Sequence, residues 1–337
     1  MTAKKSIIPV FIPHLGCPHE CVFCNQRRIS GSLLPATPND VVSVLQNAQA
    51  CNAQLAFYGG SFTALELREQ EEFLLAAQPF FVQGKIGSIR LSTRPDCIDE
   101  ENLRLLKKYG VSTIELGAQS MDDEVLSRCF RGHSAFDTEK ASKMIKDFGF
   151  ELVLQMMTGL FGSDEKRDIE TARRLALLLP DAVRIYPTVI IKDTYLHDLY
   201  KSGDYAQHTV SDAVEVCSRI VPIFEEAGIT IIRLGLNPTD DLSGGEAIGG
   251  AYHPAFGELV KSRLFLSKAR EKLKNTPQNS CVILTVSAAC VSQMIGQGRC
   301  NVKSLIEEFS LSSLKIVSGE IKNGEIKAQT VAKELKM

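Results

Sequence analysis

The amino-acid sequence predicts an α/β fold: an open, partial (βα)6 barrel of TIM-like type followed by a small C-terminal α/β appendage. Short apolar, β-branched runs alternate with longer amphipathic segments, which is the signature of βα units around a parallel sheet. The residues with notable chemistry follow directly after those runs, where barrels of this kind build their sites.

The strand-like runs are Ile7–Ile12, Leu55–Tyr58, Ile86–Leu91, Ser112–Leu116, Phe150–Met156 and Val183–Tyr186. The first helix carries its own start signal, Thr37 followed by Pro38 in the first turn, with Asp40 placed to complete a capping box. Helices near Asp99–Lys108, Asp137–Phe148, Asp164–Leu179 and Val210–Ala227 follow the same logic. Six such units are too few to close an eight-stranded barrel, hence the open form. Past Leu234 the pattern changes to Gly244-Gly245 and Gly249-Gly250, then Tyr252-His253-Pro254 and a helix from about Glu258. The remainder reads as a strand at Val282–Val286, a helix around Val302–Phe309, and paired short strands near Leu314–Val317 and Ile326–Val331. The expected domains are therefore residues 1–235 and 236–337, the second a candidate for facing the substrate. Tyr252-His253-Pro254 is either a substrate-facing loop or a structural turn in which Pro254 opens a helix and Glu258 sits at its positive end.

With 337 residues, 44% of them hydrophobic, the chain can bury one large core and a smaller satellite. The formal net charge is −2, so no overall positive field draws nucleic acid or an acidic membrane, and RNA binding needs a local patch. Arg27 and Arg28 beside the first cysteines, with Arg299 and Lys303 in the appendage, are the candidates; no aromatic ladder for single-stranded bases is visible. Lys4 and Lys5 precede an apolar run at the start, but Pro9, Pro13 and His14 interrupt it too soon for a secretory core. No other stretch approaches the roughly 20 apolar residues that a bilayer demands, so a cytoplasmic protein without a membrane partner is expected. Of ten cysteines, seven are scattered and read as free thiols in a reducing compartment; Cys281, Cys290 and Cys300 lack the spacing of an auxiliary cluster.

The other three are Cys17, Cys21 and Cys24, in the run Cys-Pro-His-Glu-Cys-Val-Phe-Cys after the first strand. Three thiolates with no fourth nearby leave one iron of a cubane cluster open for a small ligand, which suits chemistry rather than simple electron transfer. A zinc knot completed by His14 or His19, or a non-enzymatic iron–sulfur carrier, is the alternative; zinc sites more often pair such a run with a second, distant pair.

This spacing after a strand resembles the motif of the radical S-adenosylmethionine (SAM) superfamily. The resemblance implies a [4Fe–4S] cluster whose open iron is chelated by SAM, reductive cleavage of SAM to a 5′-deoxyadenosyl radical, and hydrogen abstraction from a substrate. It also implies an electron donor such as a flavodoxin or ferredoxin. Phe23 either packs in the core or, by the resemblance, lies against the cluster and the adenine. Tyr58-Gly59-Gly60-Ser61-Phe62-Thr63 closes a strand, with glycines that let a ligand approach the backbone. It is similar to the superfamily's Gly-Gly motif for the SAM amino group, formed here by Gly59, Gly60 and Ser61.

From Arg90 to Leu196 the match narrows. Thr93-Arg94-Pro95-Asp96, Glu115-Leu116-Gly117-Ala118-Gln119-Ser120, Arg131-Gly132-His133, Met157-Thr158-Gly159-Leu160 and Ile185-Tyr186-Pro187-Thr188 resemble the radical SAM domain of the Elongator catalytic subunit. The likeness to oxygen-independent coproporphyrinogen III oxidase is more distant. By position, Gln119, Arg131 and Gln155 would contact the ribose and carboxylate of SAM, and Ser92 stands where the relatives usually carry a glutamate. Arg131 taken alone also reads as a solvated charge, but a guanidinium suits a carboxylate by its bidentate geometry. The Elongator subunit adds an acetyltransferase domain for wobble-uridine modification in tRNA, which this sequence does not match, so the expected substrate is a small metabolite or a tRNA nucleoside. No catalytic acid, base or nucleophile is assigned.

Overall fold

The computed structural model describes residues 6–25, 36–236 and 245–331. Lys4, Lys5, Arg27, Arg28 and Gly244 lie outside these residues. The chain divides into two compact units, Met1–Pro254 and Ala255–Met337.

The first unit runs β1 (Ile7–Phe11), α1 (Pro38–Asn47), β2 (Ala53–Tyr58), α2 (Leu67–Val82), β3 (Ile86–Thr93), α3 (Glu100–Lys108), β4 (Val111–Gln119), α4 (Asp123–Arg128), α5 (Ala135–Asp147), β5 (Glu151–Thr158), α6 (Glu165–Leu177) and β6 (Ala182–Pro187). It continues with β7 (Val189–Ile191), α7 (Tyr195–Ser202), α8 (Val210–Glu226), β8 (Thr230–Leu234) and β9 (Ala247–Gly250). Six strands lie side by side in chain order and β8 adds a seventh, giving the parallel order β1-β2-β3-β4-β5-β6-β8 with β1 and β8 at the edges. This is the half-barrel that the alternating pattern predicts, extended by one strand. The division at Pro254 lies beyond residue 235, where the sequence pattern changes, because β9 returns to pair antiparallel with β7.

Local signals explain the helix starts. The backbone N–H of Thr37 donates to Asp40 Oδ2 at 2.7 Å, Asp99 accepts from Asn102 N at 2.8 Å, and Asp164 accepts from Arg167 N at 2.8 Å. The strands bury alternate side chains against the helices: Leu55, Phe57, Leu91, Leu116, Leu154 and Ile185 are fully buried, as are Leu45, Leu74, Leu103, Ile145, Leu175 and Phe224 from the helices. Each contributes roughly 1.5–3 kcal/mol by leaving water. The alternate positions, Tyr58, Arg90, Glu115, Gln155 and Arg184, point to the inner face and are polar.

The second unit holds α9 (Phe256–Leu273), β10 (Cys281–Val286), α10 (Val291–Ile295), α11 (Cys300–Glu308), β11 (Ser313–Ser318) and β12 (Lys327–Val331). Its sheet order is β11-β10-β12. The two short strands expected to pair with each other therefore do not: β10 lies between them, parallel to β11 and antiparallel to β12. Three strands around one apolar centre bury Val282, Leu284 and Val286 against Phe265, Met294 and Leu305. Cys290 joins that core, while Arg299, Cys300 and Lys303 are exposed on this unit. Among the described residues, no helix is long and apolar enough to cross a membrane.

Candidate functional site

The chain leaves β1 and turns directly into the cysteine loop, which is laced to the turn after β2. Ile12 N donates to Tyr58 O at 2.7 Å, His14 N to Gly59 O at 3.0 Å, and Ser61 N to Leu15 O at 2.9 Å. Two glycines permit this closeness. A Cβ on Gly16, whose φ is +70°, would stand 2.3 Å from Ser61 O, and one on Gly60 would stand 2.5 Å from Leu15 O. Gly60 is thus required by the close approach of the cysteine loop's backbone.

This interlock places the Ser61 hydroxyl 3.6 Å from Cys17 Sγ. Burial pushes the Cys17 thiol above its ordinary pKa, against a smaller pull downward from Ser61, and a bound metal has to displace that proton. Cys21 Sγ accepts a hydrogen bond from Arg131 Nη1 at 3.1 Å, and Cys24 N donates to Cys21 O at 3.0 Å. All three cysteines are half-buried, and none is in a disulfide. Among the described residues no three His, Cys, Asp or Glu side chains converge on a point where one metal ion could be held. A cubane asks for something different, one thiolate on each of three irons, and three thiols spread along one tight loop fit that requirement.

Arg131 is buried and firmly aimed. Its Nη2 donates to Gly117 O at 2.6 Å, its own carbonyl accepts from Arg94, and Arg94 is forked onto Asp96 by two bonds of 3.0 Å. The Nε of Arg131 is buried with no hydrogen-bond partner among the described residues. Gln119 ends β4 in the left-handed region at φ 65°, where the register with β5 shifts, and its Oε1 accepts from Gln155 Nε2 at 3.3 Å. Gly117 leaves room for both: a Cβ there would lie 3.0 Å from Gln119 Nε2 and 3.4 Å from Arg131 Nη2. Gln119, Arg131 and Gln155 are therefore neighbours at the C-terminal end of the sheet. Ser92 stands on β3 in register with Glu115. Phe23 is half-buried between two apolar clusters, one with Val22, Val125, Cys129 and Leu160, the other with Ile190 and Leu196.

Two features escape sequence reasoning. His133 Nε2 lies 3.2 Å from Ala118 O behind Gln119, and burial, with Arg131 and Arg94 nearby, pushes its pKa down to about 4, so the ring is neutral near pH 7. Glu115, 1% exposed, is held on the inner face by Arg90 at 2.7 Å, by Arg184 at 2.7 and 3.1 Å, and by the Tyr58 hydroxyl at 3.1 Å. The signal for it was the recurrence of charged residues at inward strand positions, which only the register assembles.

Comparison with known proteins agrees with this geometry. The Radical SAM superfamily profile matches residues 11–175, and the Radical_SAM C-terminal domain matches residues 180–265. A tRNA uridine(34) acetyltransferase from Methanocaldococcus infernus is 32% identical over 185 residues, covering 49% of this chain and 35% of that protein. The chain spans about a third of the length of such relatives. Among solved structures, M. infernus Elp3 lacking its N-terminal residues superposes with a TM-score of 0.62 at 24% identity, over 80% of this chain and 63% of that one. Coproporphyrinogen III oxidase from Escherichia coli gives 0.51 at 16% identity, over 67% and 54%. At these identities the structural likeness speaks for the fold, while the family profiles and the interlocked cysteine loop speak for the chemistry. The chain belongs to the radical SAM superfamily, in a branch resembling the radical SAM domain of the Elongator catalytic subunit, and is an enzyme of that class.

Proposed function

We propose that Cys17, Cys21 and Cys24 hold a [4Fe–4S] cluster, that the surrounding residues hold SAM against it, and that the substrate is a tRNA nucleoside. When bound and reduced by a donor such as flavodoxin or ferredoxin, the cluster would supply one electron for the reductive cleavage of SAM and thereby the means to abstract a hydrogen atom from the substrate. The protein's part is to bind, orient and shield. Gly59, Gly60 and Ser61 offer backbone groups to the SAM amino group beside Cys17. Arg131, with its unpaired Nε, and the Gln119–Gln155 pair receive the carboxylate and ribose. Ser92 lines the same face of β3, and Phe23 closes the apolar side.

The observation that carries this reading is the reciprocal fit of the Gly16 and Gly60 turns, which sets the cysteine loop and the SAM-binding turn against each other. The tRNA assignment is supported by the tRNA uridine(34) acetyltransferases among the relatives. Anaerobically reconstituted protein is expected to contain about four irons and four sulfides, and to release 5′-deoxyadenosine from SAM with a reductant. Zinc without sulfide, or an intact cluster that never cleaves SAM, overturns the reading. Nucleoside mass spectrometry of tRNA from cells with and without the protein tests the substrate: a missing modified nucleoside supports it, and unchanged tRNA with an altered small metabolite overturns the tRNA assignment alone.

A further inference from the structure

We propose that the inner face of the sheet is a binding wall for an oxyanion of the substrate, a carboxylate or a phosphate, received by Arg184 and Arg233 with Arg90 behind them. The proposal rests on the reading of this half-barrel as a radical enzyme only in calling the ligand a substrate; the binding site itself stands on charge and geometry.

Arg90 on β3, Arg184 on β6 and Arg233 on β8 project from inward positions of one sheet, Arg184 and Arg233 in register with each other. Glu115 is the carboxylate that answers them: Arg90 Nη1 reaches it at 2.7 Å, and Arg184 grips both its oxygens, from Nε at 2.7 Å and Nη2 at 3.1 Å. Arg233 has no such partner. Its Nε donates to Gly235 O at 2.8 Å, and it forms no ion pair with any described carboxylate. Glu151, also on this face, lies at the opposite end of β5, is exposed, and accepts its bond from Thr113 at 2.6 Å. Among the described residues, three permanent positive charges thus meet one negative charge in a region where Arg90 and Arg184 are 12% and 14% exposed.

The nearby hydroxyls do not make up the difference. Tyr58 bridges Arg184 and Glu115 at 3.1 Å each, and burial pushes its pKa up to about 12; burial raises Tyr186 as well. Both stay neutral donors. Excess charge sheltered from water is costly unless an anion answers it, and a guanidinium fork is shaped for the two oxygens of a carboxylate or phosphate. The SAM carboxylate is assigned to Arg131, which is anchored at the end of β4 by Gly117 O, so a second anion site is left on this wall.

The test is isothermal titration of the full-length, cluster-loaded protein with inorganic phosphate and with succinate, in a buffer free of other oxyanions. Saturable binding of one or both is expected, the tighter probe naming the group. Arg233→Gln is expected to weaken it by about tenfold or more, and Arg233→Lys to recover part of the loss. Among the described residues Arg233 has no carboxylate partner, so its replacement should leave the melting temperature nearly unchanged. No saturable binding, or binding indifferent to Arg233→Gln, overturns the proposal. So does a loss of SAM binding in Arg233→Gln equal to the loss of probe binding, since the wall would then be the SAM carboxylate site. Repeating the titration on cluster-free protein separates the two readings: anion binding persists there even if SAM cleavage proves absent.

Discussion

The outer face of the seven-stranded sheet carries Leu55, Phe57, Leu91, Leu116, Leu154 and Ile185, whereas the inner face of the same strands carries Tyr58, Arg90, Glu115, Gln155 and Arg184. Neighbours in the chain therefore do opposite work. Leu154 packs and Gln155 reaches Gln119; Phe57 fills an aromatic cluster and Tyr58 joins an ion pair. The period of two along a strand separates stability from chemistry one residue at a time, and a shift of register by one residue would exchange them.

Substitutions on each face test that separation. Phe57→Ala removes a ring packed 4.9 Å from Phe62 and 6.0 Å from Phe73, and should cost about 4 kcal/mol in chemical denaturation; a loss below about 1 kcal/mol would break the contrast. Glu115→Gln keeps the volume but leaves Arg90 and Arg184 facing each other, with an expected cost of about 3 kcal/mol, read the same way.

A pH series probes the junction of the faces. With its pKa lowered from 6.5 to about 4, folded His133 binds fewer protons than the unfolded chain between those values, so its contribution to stability is present above pH 6.5 and lost as pH falls toward 4. The loss should approach about 3 kcal/mol. Buried Asp168, raised to about 7, acts in the opposite direction, losing its contribution as pH rises through 7. The difference between wild type and His133→Gln isolates the histidine, and parallel curves would refute the assignment. Smallest in stability is Gln155→Ala, expected to change unfolding by less than about 1 kcal/mol while weakening SAM binding about tenfold. Equal stability losses for Gln155→Ala and Leu154→Ala would erase the distinction between the faces.

The six leading strands are legible because their apolar runs are buried against helices, and α1 is legible from Thr37, Pro38 and Asp40. β8 is harder to read, since it lies at an edge and its Thr230 and Ile232 are exposed. The order of β10, β11 and β12 is set by the core they share rather than by their short sequences. The cysteine spacing and the Gly-Gly turn are local, so the sequence displays them. The contact of Arg131 with Cys21 spans 110 residues, and those of Glu115 with Arg90 and Arg184 span 25 and 69, separations across which no motif is written.

The reciprocal contact of Gly16 with Ser61 and of Gly60 with Leu15 makes the first two loops of the sheet a single mechanical piece. Damage to either should be felt by both ligands: Gly60→Ala, though far in sequence from the three clustered cysteines, should impair iron loading, and Gly16→Ala should impair binding of the sulfonium. A lesion that spares one ligand and abolishes the other must then act elsewhere, which gives genetic screens of this enzyme a simple way to sort their variants.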